Sequence, residues 1–143
     1  MAKFESSVKV IPYTQDLVYR CVSDLSYLEK IRDRIPSHDI DKMSFTADAI
    51  SVSSPVGEVA MHIIEREEPK CVKFETVKSP VPMHLWIQVL PVNESSSKMR
   101  LTIDADVPFF LKGVVATPLQ EAVEKLAEAL ASIPYDQLQV EES

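Results

Sequence analysis

The sequence predicts an α+β protein in which a seven-stranded antiparallel sheet wraps around a long C-terminal helix, with two short helices between the first two strands. Three observations support this architecture. Apolar and polar residues alternate along most of residues 40–105, which is typical of half-buried strands. The polar gaps between these runs are short, as in antiparallel connections. From Leu119 to Ile133, apolar residues instead follow the spacing of one helix face.

The first strand is predicted over residues 3–11, where Phe4, Val8 and Val10 share one side of the alternation. It ends before Pro12, because proline cannot donate a hydrogen bond to a neighbouring strand.

Two short helices are predicted next. Thr14 is a suitable N-cap for the first. Ser26 is a suitable N-cap for the second, and Glu29 stands three residues later in the capping-box position. The second helix must end before Pro36, since the residue preceding a proline is disfavoured in helical conformation.

Six further strands are predicted, over residues 40–45, 50–54, 58–66, 71–77, 83–92 and 99–105. The strand at 83–92 has two different faces. One carries Trp86 between polar neighbours, and the other is uniformly apolar through Leu85, Ile87 and Val89. We expect the apolar face to point to the core and Trp86 to lie outside. The opposite placement, with Trp86 lining a cavity, stays open at this point.

The C-terminal helix has a capping-box pattern at Thr117 and Gln120, with Pro118 suited to the first helical position. The apolar segment 108–116 before it is either a separate short helix or the first half of one long helix kinked at Pro118.

Length, composition and charge limit the function. The 143 residues are predicted to form a single domain over 1–143, with an ordered core at about 3–133 and an acidic C-terminal tail. A net charge of −7 disfavours binding to nucleic acid. No apolar run approaches the length of a membrane span and no N-terminal signal region is evident, so we expect a cytoplasmic protein without membrane insertion.

Cofactor and metal chemistry receive no support from the sequence. Its two glycines stand far apart and cannot form a phosphate-binding loop, so we predict no cofactor. Cys21 and Cys71 are isolated, which favours reduced thiols over a disulfide. The histidines at 38, 62 and 84 lie on different predicted elements without the spacing of a metal site.

The element order resembles that of the START-like superfamily, also called SRPBCC. Two stretches are similar to small bacterial members: Leu85-Trp-Ile-Gln88, and Pro108-Phe-Phe-Leu-Lys-Gly113 leading into Pro118-Leu-Gln120. The resemblance covers the chain from Phe4 to about Ile133. It implies a helix-grip fold with an internal cavity for lipids, sterols, polyketides or other apolar metabolites. Some relatives are aromatase/cyclases or hydrolases, and others are co-chaperone or regulatory domains.

We therefore expect a protein that binds or carries a small apolar ligand rather than an enzyme, in a cavity between the sheet and the C-terminal helix. The apolar cluster Phe109, Phe110 and Leu111 is interpreted either as a lid or entrance wall or as an anchor of the helix start. The predicted ligand-binding residues are Phe74, Trp86, Phe109, Phe110, Val115, Leu119, Val123 and Leu126.

Two other functions stay open. The first is an enzyme of the polyketide cyclase or dehydratase type, with His84 or Asp106 moving a proton. The second is a protein-interaction module, such as a homodimer that uses the outer sheet face around Trp86. No nucleophile is paired with either candidate acid–base residue in the sequence, so no catalytic residue is assigned.

Overall fold

The predicted helix-grip architecture is confirmed by the computed structural model, which describes residues 2–35, 41–54, 57–79 and 81–136. The strands are β1 (Ala2–Glu5), β2 (Lys9–Ile11), β3 (Met43–Phe45), β4 (Ala49–Ser54), β5 (Gly57–Glu67), β6 (Cys71–Lys78), β7 (Met83–Pro91) and β8 (Ser97–Ala105). The helices are α1 (Gln15–Ser23), α2 (Ser26–Lys30) and α3 (Lys112–Ala131), with short 3-10 turns at Arg32–Arg34 and Phe109–Leu111. Residue 40, where the second strand was predicted to begin, lies outside the described residues.

The strands form one antiparallel sheet in the order β1-β8-β7-β6-β5-β4-β3, and β2 also pairs with β8. The meander from β3 to β8 thus places each strand beside its sequence neighbour, as the short connections predict. The first two strands, β1 and β2, instead pair with the last strand, β8. Helix α3 packs mainly on β8, β1 and β2, and α1 packs on β6, β7 and β8.

The predicted first strand is broken in two, and the face assigned to it is wrong over its second half. Glu5 pairs with Thr102 but Lys9 pairs with Met99, so one extra residue stands between β1 and β2. Such a bulge reverses which side chains point inward. Val8 and Val10 are consequently 54% and 68% exposed, and Ile11 is fully buried in their place.

The cap of α1 is as predicted, because the Thr14 hydroxyl accepts a hydrogen bond from the Leu17 amide. The cap of α2 is not. Asp24 accepts from both the amide and the hydroxyl of Ser26, so the cap lies before the predicted one. Glu29 accepts instead from the Phe45 amide, which ties α2 to β3.

Helix α3 runs continuously from Lys112 through Pro118, so the predicted capping box at Thr117 is wrong and the long-helix alternative is correct. Proline at an interior position leaves the carbonyl four residues earlier without its usual donor. The side-chain amide of Gln120, free of a capping role, donates to the Glu5 carbonyl at 2.8 Å.

Beyond the helix, Tyr135 is fully buried and donates to the Leu130 carbonyl, so close packing extends past residue 133.

A polar clamp joins α3 to the bulge between β1 and β2. Glu124 accepts from the amide and the hydroxyl of Ser7, each at 2.8 Å, and pairs with the Lys9 ammonium at 2.6 Å. The Lys9 hydrogen bond, followed by those from Ser7, lowers the pKa of Glu124 from 4.5 to about 2. The clamp thus holds the carboxylate in its charged form.

This lowered pKa predicts a pH-dependent contribution to folding stability. A carboxylate with a lower pKa in the folded state stabilises fully above its usual pKa of 4.5, and the contribution is lost as the pH falls towards about 2. Glu124→Gln should lower the Tm at pH 7 and should flatten the decline in Tm between pH 5 and pH 2. Thermal denaturation across that range measures both effects. Glu94→Gln, in the exposed β7–β8 loop, is the control, and an identical decline in Tm for both variants would contradict the role of the clamp.

Candidate functional site

A cavity of about 250 Å³ lies between the sheet and α3. Its interior wall is apolar and is built by five strands and one helix face. On the sheet side the wall includes Met43, Met61, Met83, Leu85 and Ile103. On the helix side it includes Pro118, Leu119, Ala122 and Leu126.

Strand alternation and helical periodicity place these side chains together. Met83 and Leu85 are two residues apart on β7 and share its inner face, and Leu85 pairs across the sheet with Ile103. Leu119, Ala122 and Leu126 have the spacing of one helix stripe, so they face the same wall of the sheet. The methionines add adaptability, because an unbranched thioether chain can change shape around different ligands.

Polar side chains are confined to the rim of the cavity. Lys42 and Ser53 stand on the sheet side, at β3 and β4, and Glu121 and Lys125 stand on α3. Among the described residues that line the cavity, these are the charged or hydroxyl-bearing ones. The interior therefore lacks a described acid, base or nucleophile, and what the arrangement does best is exclude water from an apolar group.

Two of the predicted ligand-binding residues, Leu119 and Leu126, line this cavity. Val115 and Val123 lie on the same helix and are buried, but they do not belong to the lining. Phe74 on β6 is fully buried within the core and also stands apart from it.

The aromatic pair before α3 does not line the cavity. Phe109 is 90% exposed and Phe110 is 80% exposed, whereas the adjacent Leu111 is partly buried against the core. Of the two interpretations of this segment, the helix-anchoring one applies to Leu111 alone. The two phenylalanine side chains have few contacts to hold them.

Trp86 and His84 lie on the outer face of the sheet. Leu85, Ile87 and Val89 point to the core, which confirms the favoured orientation of this strand. The Lys73 ammonium lies 5.1 Å from the centre of the Trp86 ring, and His84 Nε2 lies 3.1 Å from a Glu75 carboxylate oxygen. Neither Trp86 nor His84 reaches the cavity.

The second candidate for proton transfer, Asp106, is exposed just after β8. Its backbone amide donates to the Pro82 carbonyl at 2.9 Å, which fixes the turn and not the side chain. Like His84, Asp106 is absent from the lining of the cavity. The geometry therefore brings neither candidate acid–base residue to the cavity.

Other reactive groups are also remote from the lining. Cys21 is buried and Cys71 is half-buried, and no disulfide joins them. Burial raises the pKa of Cys71, as do the carboxylates of Glu67 and Glu65, so its nucleophilic thiolate is disfavoured. Within the described ranges, no group of three His, Cys, Asp or Glu side chains is placed to hold a metal ion. His38 lies outside the described residues.

Sequence reasoning missed the methionines and the rim lysines. Met61 and Met83 sit at inward positions of predicted strands, and that alternation was the available signal. What the sequence did not reveal is that the helix stands away from β3, β4 and β5. Lys42 and Lys125 are 83 positions apart and have no shared sequence signal.

Comparison with known proteins identifies the fold. No family model and no curated protein matches the sequence. Norcoclaurine synthase from Thalictrum flavum matches at a TM-score of 0.71 with 13% identity, covering 99% of this chain and 96% of that one. A START superfamily protein from Mycobacterium smegmatis matches at 0.65 with 13% identity, covering 95% and 98%. A protein from Thermus thermophilus matches at 0.63 with 16% identity, covering 99% and 100%.

The chain therefore has the START-like, helix-grip fold over nearly its whole length, as the sequence resemblance implies. At this level of identity the likeness defines the fold and leaves the ligand and the chemistry to the site itself. In the part of the chain that the structure describes, no helix combines the length and apolar content needed to cross a membrane.

The exposure of the aromatic pair makes a prediction about stability. Replacing both Phe109 and Phe110 by serine should change the free energy of unfolding by less than about 0.5 kcal/mol per site, because exposed side chains lose few contacts. Phe74→Ala, the buried comparison, should cost about 3–5 kcal/mol through the cavity that it leaves. Urea denaturation measures both. A loss of several kcal/mol in the serine variant would show that the pair packs against the domain in solution.

Proposed function

We propose that this protein binds a small apolar ligand in the cavity between the sheet and α3 and holds it without chemical change. The observation that supports this most directly is the cavity itself, with apolar walls inside and charged groups confined to its rim. Burial of apolar surface in such a site contributes roughly 25 cal/mol per Å², and the rim sets the orientation of the ligand.

The volume of the cavity suggests the size of the ligand. An apolar cavity of about 150 Å³ can hold one benzene molecule. By that proportion, the 250 Å³ observed here suits a ligand of about ten non-hydrogen atoms. A single substituted ring or an eight-carbon chain is of this size, and a whole diacyl lipid or a sterol is larger.

The ligand class can be tested with 1-octanol, an uncharged eight-carbon probe, by isothermal titration calorimetry at several temperatures. Binding should be saturable, with a negative heat-capacity change that marks apolar burial. Native mass spectrometry of the freshly purified protein should also reveal any ligand retained from the cells. A calorimetric baseline with no saturable heat, together with a clean protein mass, would contradict the proposal.

Filling the cavity should abolish binding while the fold is retained. Ala122→Phe projects an aromatic ring from α3 into the space, and Leu119→Trp does the same three residues earlier. Each should weaken octanol binding at least tenfold, because the probe and the new side chain require the same volume. Val10→Phe adds a ring at an exposed position of β2 and should bind octanol as the unmodified protein does. Equal octanol affinity in all three variants would show that octanol binds outside the cavity.

The two cysteines, which are isolated in the sequence, support a further part of this proposal, that the protein works in a reducing compartment such as the cytoplasm.

A further inference from the structure

We infer that the ligand is an amphiphilic acid, with its apolar body in the cavity and a carboxylate at the rim between Lys42 and Lys125. The inference rests on the proposed function and specifies the chemical class of the ligand. It comes from the position and the charge of the groups at the mouth of the cavity.

The two lysines stand on opposite sides of the mouth. Lys42 immediately precedes β3 on the sheet side, and Lys125 lies on the cavity stripe of α3, one turn after Glu121. Both line the cavity, and both are exposed residues. A lysine in this position can lay its aliphatic stem along an apolar wall and keep the ammonium at the water boundary.

Neither ammonium has a carboxylate partner within the described part of the chain. Ion pairs there involve Lys9 and Lys78, for example, but not Lys42 or Lys125. Glu121 has the spacing that would suit a pair with Lys125, yet no contact within 4.0 Å joins the two. In a chain with a net charge of −7, two lysines that line one opening and form no ion pair with another described residue place positive charge at that opening.

The charge balance at the rim favours a singly charged head group. Among the residues that line the cavity, two lysines and one glutamate carry a net charge of about +1, which one carboxylate neutralises. The Ser53 hydroxyl at the same rim can donate a hydrogen bond to it. Inside the cavity, the methionine and leucine side chains offer no partner for a charge, so the head group remains at the mouth.

The test compares three eight-carbon probes by isothermal titration calorimetry at pH 7: octanoate, 1-octanol and octylamine. The unmodified protein should bind octanoate more tightly than octanol, and octylamine least tightly. In the double variant Lys42→Gln/Lys125→Gln, the preference for octanoate over octanol should fall about tenfold, as expected for two partly exposed ion pairs. Raising the salt concentration should weaken octanoate binding and leave octanol binding nearly constant, because salt screens charge and not apolar contact.

Lys98→Gln is the matched control, since Lys98 is an exposed lysine on β8 that does not line the cavity. It should keep the full octanoate preference. Equal affinities for octanoate and octanol in the unmodified protein would overturn the acid inference and leave the apolar binding function intact. A preference that survives in the double variant would overturn the role of these two lysines. Failure of all three probes to bind would instead reject the proposed function and, with it, this inference.

Discussion

The anchoring of α3 along one edge of the sheet is the constraint on which the rest of the structure depends. Glu124 and Gln120 bind the helix to backbone and side chains of β1, the bulge and β2, and its main packing partners are β8, β1 and β2. A helix held at one edge of a twisted sheet separates from the strands at the other edge. That separation is the cavity, and Met43 and Met61 on the remote strands line it.

The bulge between β1 and β2 has a role in this anchoring. It turns the Ser7 amide and hydroxyl toward Glu124 and brings Lys9 to the same carboxylate. A strand with unbroken alternation would instead continue its ladder with β8 and present other groups to the helix. The bulge between β1 and β2 therefore contributes to the anchoring of α3 that leaves the cavity at the other edge of the sheet.

The two faces of the sheet differ in their chemistry. The inner face is apolar and meets α3. The outer face carries His84 and Trp86, which contact the charged side chains of Glu75 and Lys73. Structural similarity to an enzyme and to a START protein at 13% identity is compatible with several functions, because a fold of this kind hosts different sites. The choice among them depends on the side chains at the cavity.

The sequence by itself determined the order of elements and most strand boundaries, and it favoured the inward face of β7 that is observed, because alternation and helical spacing are local patterns that burial enforces. From the helix stripe it predicted Val115, Leu119, Val123 and Leu126 as ligand-binding residues, and of these Leu119 and Leu126 line the cavity. It did not reveal the bulge after β1, the start of α3 before Pro118 or the exposure of Phe109 and Phe110. Tertiary structure alone decided these features and the placement of Lys42 and Lys125 on one rim, because they depend on contacts between residues far apart in the sequence, which no local pattern encodes.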